Sequence, residues 1–167
     1  MLPDLLCPGL RVVIAGTIAV WHRAEREHYY ASAGNKFWTL LHRSGLTAVE
    51  LYPADDVSVL RYGVGLTDLV RIEPAVRGEP PVFDLDGFVA RLHAVHPPAV
   101  AFVSKTAASS YARAAGQRLP RGYGALSWTV AAIPAFVLPG PSGANNGMPL
   151  PLRSALWGDL VDFLDTL

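Results

Sequence analysis

"RVVIAG", residues 11–16, is a β-branched run that ends on a glycine. Val12, Val13 and Ile14 in succession leave no polar side for water, which is the pattern of a strand buried on both faces. The pattern returns in "AVAFVS", residues 99–104, and in "LSWTVAAIPAFVLPG", residues 126–140, which reads as a strand pair. Helical segments lie between and beyond these runs. "GNKFWTLLHRSG" (34–45) sets Phe37, Leu40, Leu41 and Ser44 at helical spacing and stops at Gly45. "DLDGFVARLHAVHPP" (84–98) carries an apolar face through Leu85, Phe88, Val89 and Leu92 and is ended by two prolines. "KTAASSYARAAG" is an alanine-rich helix, and a last helix runs from about Leu152 to Leu164. "YGVGLTDLV" (62–70), interrupted by glycines, reads as a loop with a short strand or turn. Continuous apolar strands alternating with helices predict an α/β fold whose central sheet is covered on both faces. Ligands in such folds bind outside the carboxyl ends of the strands. Three loops qualify: residues 17–36, 63–68 and 139–147.

A chain of 167 residues, 51% hydrophobic and 17% charged, is expected to form one domain over residues 1–167 with a sizeable core. Its 14 Lys and Arg balance 14 Asp and Glu, so no global field draws it to a polyanion. Any nucleic-acid binding must come from local patches. The lone Cys7 excludes an internal disulfide and argues against an iron–sulfur or cysteine-based zinc site; no metal or other cofactor is expected. The apolar runs fall short of a membrane span. "MLPDLLCPGL" at the start lacks a basic segment followed by a continuous apolar one, so a cytoplasmic protein with no membrane partner is expected.

The loop "TIAVWHRAEREHYYASAGNK" (17–36) is longer than a change of direction requires. Tyr29 and Tyr30 either wall a flat ligand or anchor the loop to the core. His22 and His28 could donate hydrogen bonds to a ligand or face solvent. Glu25 and Glu27 are fallback acids that fit ion pairs with Arg23 and Arg26. Asn35 suits a helix cap or a polar reader of a ligand edge, and the cap is the commoner job.

Four stretches, "CPGLRVVIAG", "GNKFW", "YGVGLTDLV" and "VLPGPSGANN", resemble in order and spacing the motifs of the mismatch-specific uracil- and thymine-DNA glycosylases of the uracil-DNA glycosylase superfamily. The resemblance covers nearly the whole chain. It implies a single-domain three-layer sandwich with a mostly parallel four-stranded sheet. It also implies hydrolysis of the N-glycosidic bond of a uracil flipped out of DNA, leaving an abasic site. Such chemistry needs an anion near the cationic sugar, a positioned water, donors at the pyrimidine oxygens and a flat face for stacking.

Carried onto this chain, the resemblance puts Gly16 and Thr17 under the base and Tyr30 on its face, with Asn35 starting the helix that fixes the wall. Pro141, Ser142, Gly143, Ala144, Asn145 and Asn146 then face the DNA. Ser142 would hold a phosphate, and Ala144 stands where relatives carry a leucine wedge. Two positions depart from the pattern: Ile18 replaces the water-positioning Asn, and Gly140 replaces an Asn or His. The resemblance also implies that the segment holding Asp68 approaches the same pocket and carries an acid in some members, which makes Asp68 the candidate catalytic carboxylate; otherwise it caps a turn or the next helix, as aspartates often do. The expected partner is uracil-containing DNA, single-stranded or mismatched, bound by a monomer. Two other readings stay open: a catalytically impaired protein that binds uracil or damaged DNA, and a glycosylase for hypoxanthine or xanthine. The larger ring would need a wider pocket than Tyr29 and Tyr30 suggest.

Overall fold

The computed structural model describes residues 2–17, 27–70, 82–145 and 147–167. The readings placed on Ile18, His22, Arg23, Glu25, Arg26 and Asn146 lie outside the described residues. Strands β1 (Val12–Gly16), β2 (Val64–Asp68), β3 (Val100–Val103), β4 (Gly124–Val130) and β5 (Ile133–Leu138) form one sheet in the order β2-β1-β3-β5-β4. The helices described are α1 (Phe37–Arg43), α2 (Leu85–Val95), α3 (Lys105–Ala115) and α4 (Leu150–Asp165), with 3-10 segments at Pro53–Tyr62 and Gly143–Asn145.

All neighbouring strand pairs are parallel except β4 with β5, which is antiparallel. The sheet thus has five strands rather than the expected four, because "LSWTVAAIPAFVL" folds into a hairpin whose first strand adds an edge. Ala131 and Ala132 turn it with φ of 48° and 71°, the mirror-image geometry that matches the twist of a hairpin. Along β4 half-buried and exposed positions alternate as far as buried Val130, as on an edge strand, whereas β1, β2 and β3 are buried at every residue.

The segment 63–68 also differs from expectation: residues 64–68 are a fully buried strand, not a ligand loop. Its glycines answer to packing. A Cβ on Gly65 would lie 2.6 Å from Leu10 Cδ1 and 3.0 Å from Leu6 Cδ2, so the chain before β1 can cross β2 only where no side chain stands. Gly63, at φ 73°, ends the 3-10 segment in the left-handed region.

Side chains alternate across the pleat into two cores. Val12, Ile14, Val64 and Leu66 pack with Phe37, Leu40, Leu41 and Trp157 on one face. Val13, Ala15, Val100 and Phe102 pack with Phe88, Leu92 and Tyr111 on the other. Each fully buried side chain of this size is worth about 1.5–3 kcal/mol relative to exposure. Capping fits the predicted helix limits. Asp84 accepts the Gly87 amide at 2.9 Å before α2, and Gly45, at φ 89°, follows α1. The chain leaves β1 toward β2, while β3 sits on the other side of β1. The carboxyl ends of β1 and β3 therefore bracket the crevice where open α/β sheets take ligands.

Candidate functional site

A cavity of about 230 Å3 opens at that crevice. Its floor comes from strand ends: Gly16, the last residue of β1, and Thr17 after it, Val103, the last residue of β3, and Ser104 after it, and residues 140–142 after β5. His28, Tyr30, Ser32 and Asn35 close it from the loop that precedes α1. Sites for drug-sized ligands run to roughly 300–1,000 Å3, so this volume suits one small ring.

The loop over residues 27–36 is held from several directions. Tyr29, 1% exposed, donates its amide to Asp56 Oδ2 at 3.0 Å and its hydroxyl to the Pro3 carbonyl at 3.0 Å. Its carbonyl accepts from the Trp38 indole at 3.2 Å. Tyr29 is thus an anchor in the core, and of the two tyrosines only Tyr30 reaches the cavity. The Tyr30 ring lies stacked on Phe37, 3.8 Å between centroids and 8° from parallel. Phe37 in turn meets Trp38 and Trp157 edge-on, so the tyrosine wall is backed by a rigid aromatic column. Tyr30 has φ 52°, a conformation bulky residues seldom adopt unless the surroundings impose it.

Asn35 stands one residue before Lys36, the N-cap of α1, rather than at the cap itself, and lines the cavity. Its Oδ1 accepts the Phe37 amide at 2.9 Å, which leaves its NH2 as the donor end. The next amide, Lys36, donates to the Pro141 carbonyl at 2.8 Å and ties this wall to the loop after β5. Asn145 donates to the Gly140 carbonyl at 3.0 Å and holds that loop closed. Pro141 is buried beneath it, and Ser142 and Ala144 are exposed on its rim.

Ser104 was not anticipated. Its φ of 105° and ψ of 153° fall where glycine is almost the only tenant. Its amide donates to the Leu138 carbonyl at 3.0 Å and its hydroxyl accepts the Ala107 amide at 3.2 Å, capping α3. The run "AVAFVS" ends a strand, and that was the available signal, since such ends carry ligand sites. His28 was equally open to a surface role. In the structure it lines the cavity, with Nδ1 3.5 Å from Asp56 Oδ1. Asp56, 5% exposed, accepts the Tyr29 amide through Oδ2 and turns Oδ1 toward the imidazole.

Asp68 stands apart from the described lining. It ends β2, 1% exposed, in register with Gly16 of the cavity floor. Its carbonyl accepts Arg91 Nη2 at 2.7 Å. Arg91 also lies 3.5 Å from Asp4, and Asp4 accepts the Thr67 hydroxyl at 2.6 Å. The strand end is fixed by this network rather than by a flexible loop.

The arrangement can hold a flat heterocycle against Tyr30, meet its edges with the Asn35 amide, the serine hydroxyls and the imidazole, and place a buried carboxylate behind the floor. Residues 3–161 match the profile of the Uracil DNA glycosylase superfamily. The fold is similar to the solution NMR structure of a candidate uracil DNA glycosylase from Methanosarcina acetivorans, with TM-score 0.62 and 20% identity over 98% of this chain and 96% of that one. A likeness at that identity speaks to the fold alone.

Proposed function

This chain belongs to the uracil DNA glycosylase superfamily, and from that premise we propose that it hydrolyses the N-glycosidic bond of uracil flipped out of DNA, leaving an abasic site. The observation that carries the proposal is the small cavity at the ends of β1, β3 and β5, with one aromatic wall and a polar rim. A flipped pyrimidine would stack on Tyr30, whose own back is braced by Phe37. The amide after the β1 end, at Thr17, and the Asn35 NH2 are placed to meet the ring's oxygens. Charge then develops in two places. The departing base becomes anionic and is met by donors, with His28 on the cavity wall as the side chain for that task. The sugar becomes cationic, and Asp68, one strand away behind Gly16, supplies the compensating negative charge.

Ser142 and Ala144, exposed on the rim, would face the DNA backbone and the gap left by the base. A methyl group in the wedge position fills little of that gap. Substrates that need little unstacking, single strands and mismatches, should therefore react at least as readily as stable pairs. The test is a panel of oligonucleotides bearing uracil, thymine, hypoxanthine or xanthine, with released base measured by chromatography. Release of uracil above the other three supports the reading. Release of hypoxanthine or xanthine in preference to uracil would replace it with a purine specificity.

A further inference from the structure

The balanced net charge hides a segregation along the chain. Residues 87–158 contain Arg91, Lys105, Arg113, Arg118, Arg121 and Arg153 and no Asp or Glu. All 14 acids lie in the remaining residues. Three of these cations, Lys105, Arg118 and Arg121, are exposed and gather at one place. A groove runs between the segment before β4 and β4 itself, with Arg118, Pro120, Arg121, Tyr123 and Trp128 among its walls. The Trp128 indole donates to the Arg118 carbonyl at 2.9 Å, and its ring stacks on Tyr111 at 5.6 Å, which fixes an aromatic plane in the groove.

The register connects this groove to the cavity. Gly124, where β4 begins, pairs with Val137 near the end of β5, so the mouth of the groove lies at the carboxyl edge of the sheet. Lys105 directly follows the cavity residue Ser104, and its Nζ sits 4.8 Å from the centroid of the Tyr123 ring. From Gly124 to Trp128 the groove continues about 13 Å down the sheet edge at strand rise. Cations alternating with aromatic faces in an open channel are the pattern of a single-strand track, in which phosphates meet charge and bases meet rings.

We propose that the groove from Lys105 and Tyr123 to Arg118 and Trp128 is a second DNA-binding site, holding the single strand that flanks the flipped nucleotide. The inference rests on the glycosylase reading and adds where the rest of the strand goes. Charge complementarity identifies the occupant: no carboxylate stands within the whole segment that forms the groove.

The experiment compares the wild type with Arg118→Gln/Arg121→Gln on single-stranded oligonucleotides of about 4 and about 16 nucleotides, the range one such track covers, each with one uracil. Affinity for the longer strand is measured against salt, and single-turnover uracil release is measured on both. The double variant should lose about 1.4 from the slope of log affinity against log salt, about 0.7 for each contact removed. Its cleavage rate on the short strand, at saturating enzyme, should match the wild type. Tyr123→Leu should weaken the longer complex by about 5- to 150-fold through lost stacking and keep the wild-type slope. A wild-type slope in the double variant, in an enzyme that cleaves uracil, overturns the groove and leaves the glycosylase reading standing. Failure of the wild type to cleave or bind uracil-containing DNA overturns both.

Discussion

Replacing Asp68 by Asn removes one negative charge from the end of β2. The Asp68 carbonyl keeps its bond from Arg91, and the side chain keeps its size. Asp68 is the β2 partner of Gly16, so one strand spacing of about 4.8 Å plus a side chain's reach puts the carboxylate roughly 7 Å from a sugar over the cavity floor. At 1% exposure the interaction is screened less than in water. With an effective dielectric of about 20, unit charges at roughly 7 Å attract by about 2.4 kcal/mol. That corresponds to a rate loss of roughly 60-fold. In bulk water the same pair would contribute about 0.6 kcal/mol, near threefold. The assay is single-turnover uracil release with enzyme in excess, so that binding and product release do not enter. A loss of tens of fold with unchanged affinity fits a charge acting from behind the floor. A loss within about threefold would refute the role given to Asp68, because a buried carboxylate at this separation must be felt.

Other positions give independent checks. Ser104→Gly relieves a backbone conformation that costs about 1–3 kcal/mol in a non-glycine residue and loses only a few tenths as a cap. Its unfolding midpoint in urea should rise, and a fall would show that the strain is absent. Asp56→Ala removes the acceptor of the Tyr29 amide and the carboxylate that lies 3.5 Å from His28 Nδ1 and should destabilise by about 1–3 kcal/mol while lowering the cleavage rate. Retained stability and rate would mean that the clamp is idle. Arg153 is 2% exposed, and its Nε and Nη1 have no hydrogen-bond partner among the described residues. Arg153→Met should therefore be neutral or stabilising by up to about 4 kcal/mol in denaturant melts; a marked loss of stability would reveal a partner in solution.

Much of the architecture was written in local pattern. β1 and β3 announced themselves because both faces are buried and every residue is apolar, and α1 and α2 were ended by Gly45 and by Pro97 and Pro98. β2 was obscured because Gly65 serves a chain crossing between Leu10 and Leu6 that is remote in sequence and has no local signature. The fifth strand was visible as half of a pair, but edge addition depends on how the hairpin lands on β3. Within the site, the resemblance named Gly16, Thr17, Tyr30, Asn35, Pro141 and Ser142, and the structure gathers these six around one cavity. Their individual tasks remain proposals. Ser104 escaped notice because a serine after a strand reads as a helix cap, which it is, and its backbone angles are set by the fold. His28 became a wall residue only once Asp56, 28 positions later, was seen beside it.

The most direct test is whether the wild-type protein, in excess over a single-stranded or mismatched oligonucleotide carrying one uracil, releases free uracil and leaves an alkali-labile abasic site. The account predicts release from both, approaching one uracil per strand. Tight binding of the same strands with every glycosidic bond intact would contradict it and make the cavity a receptor for the base.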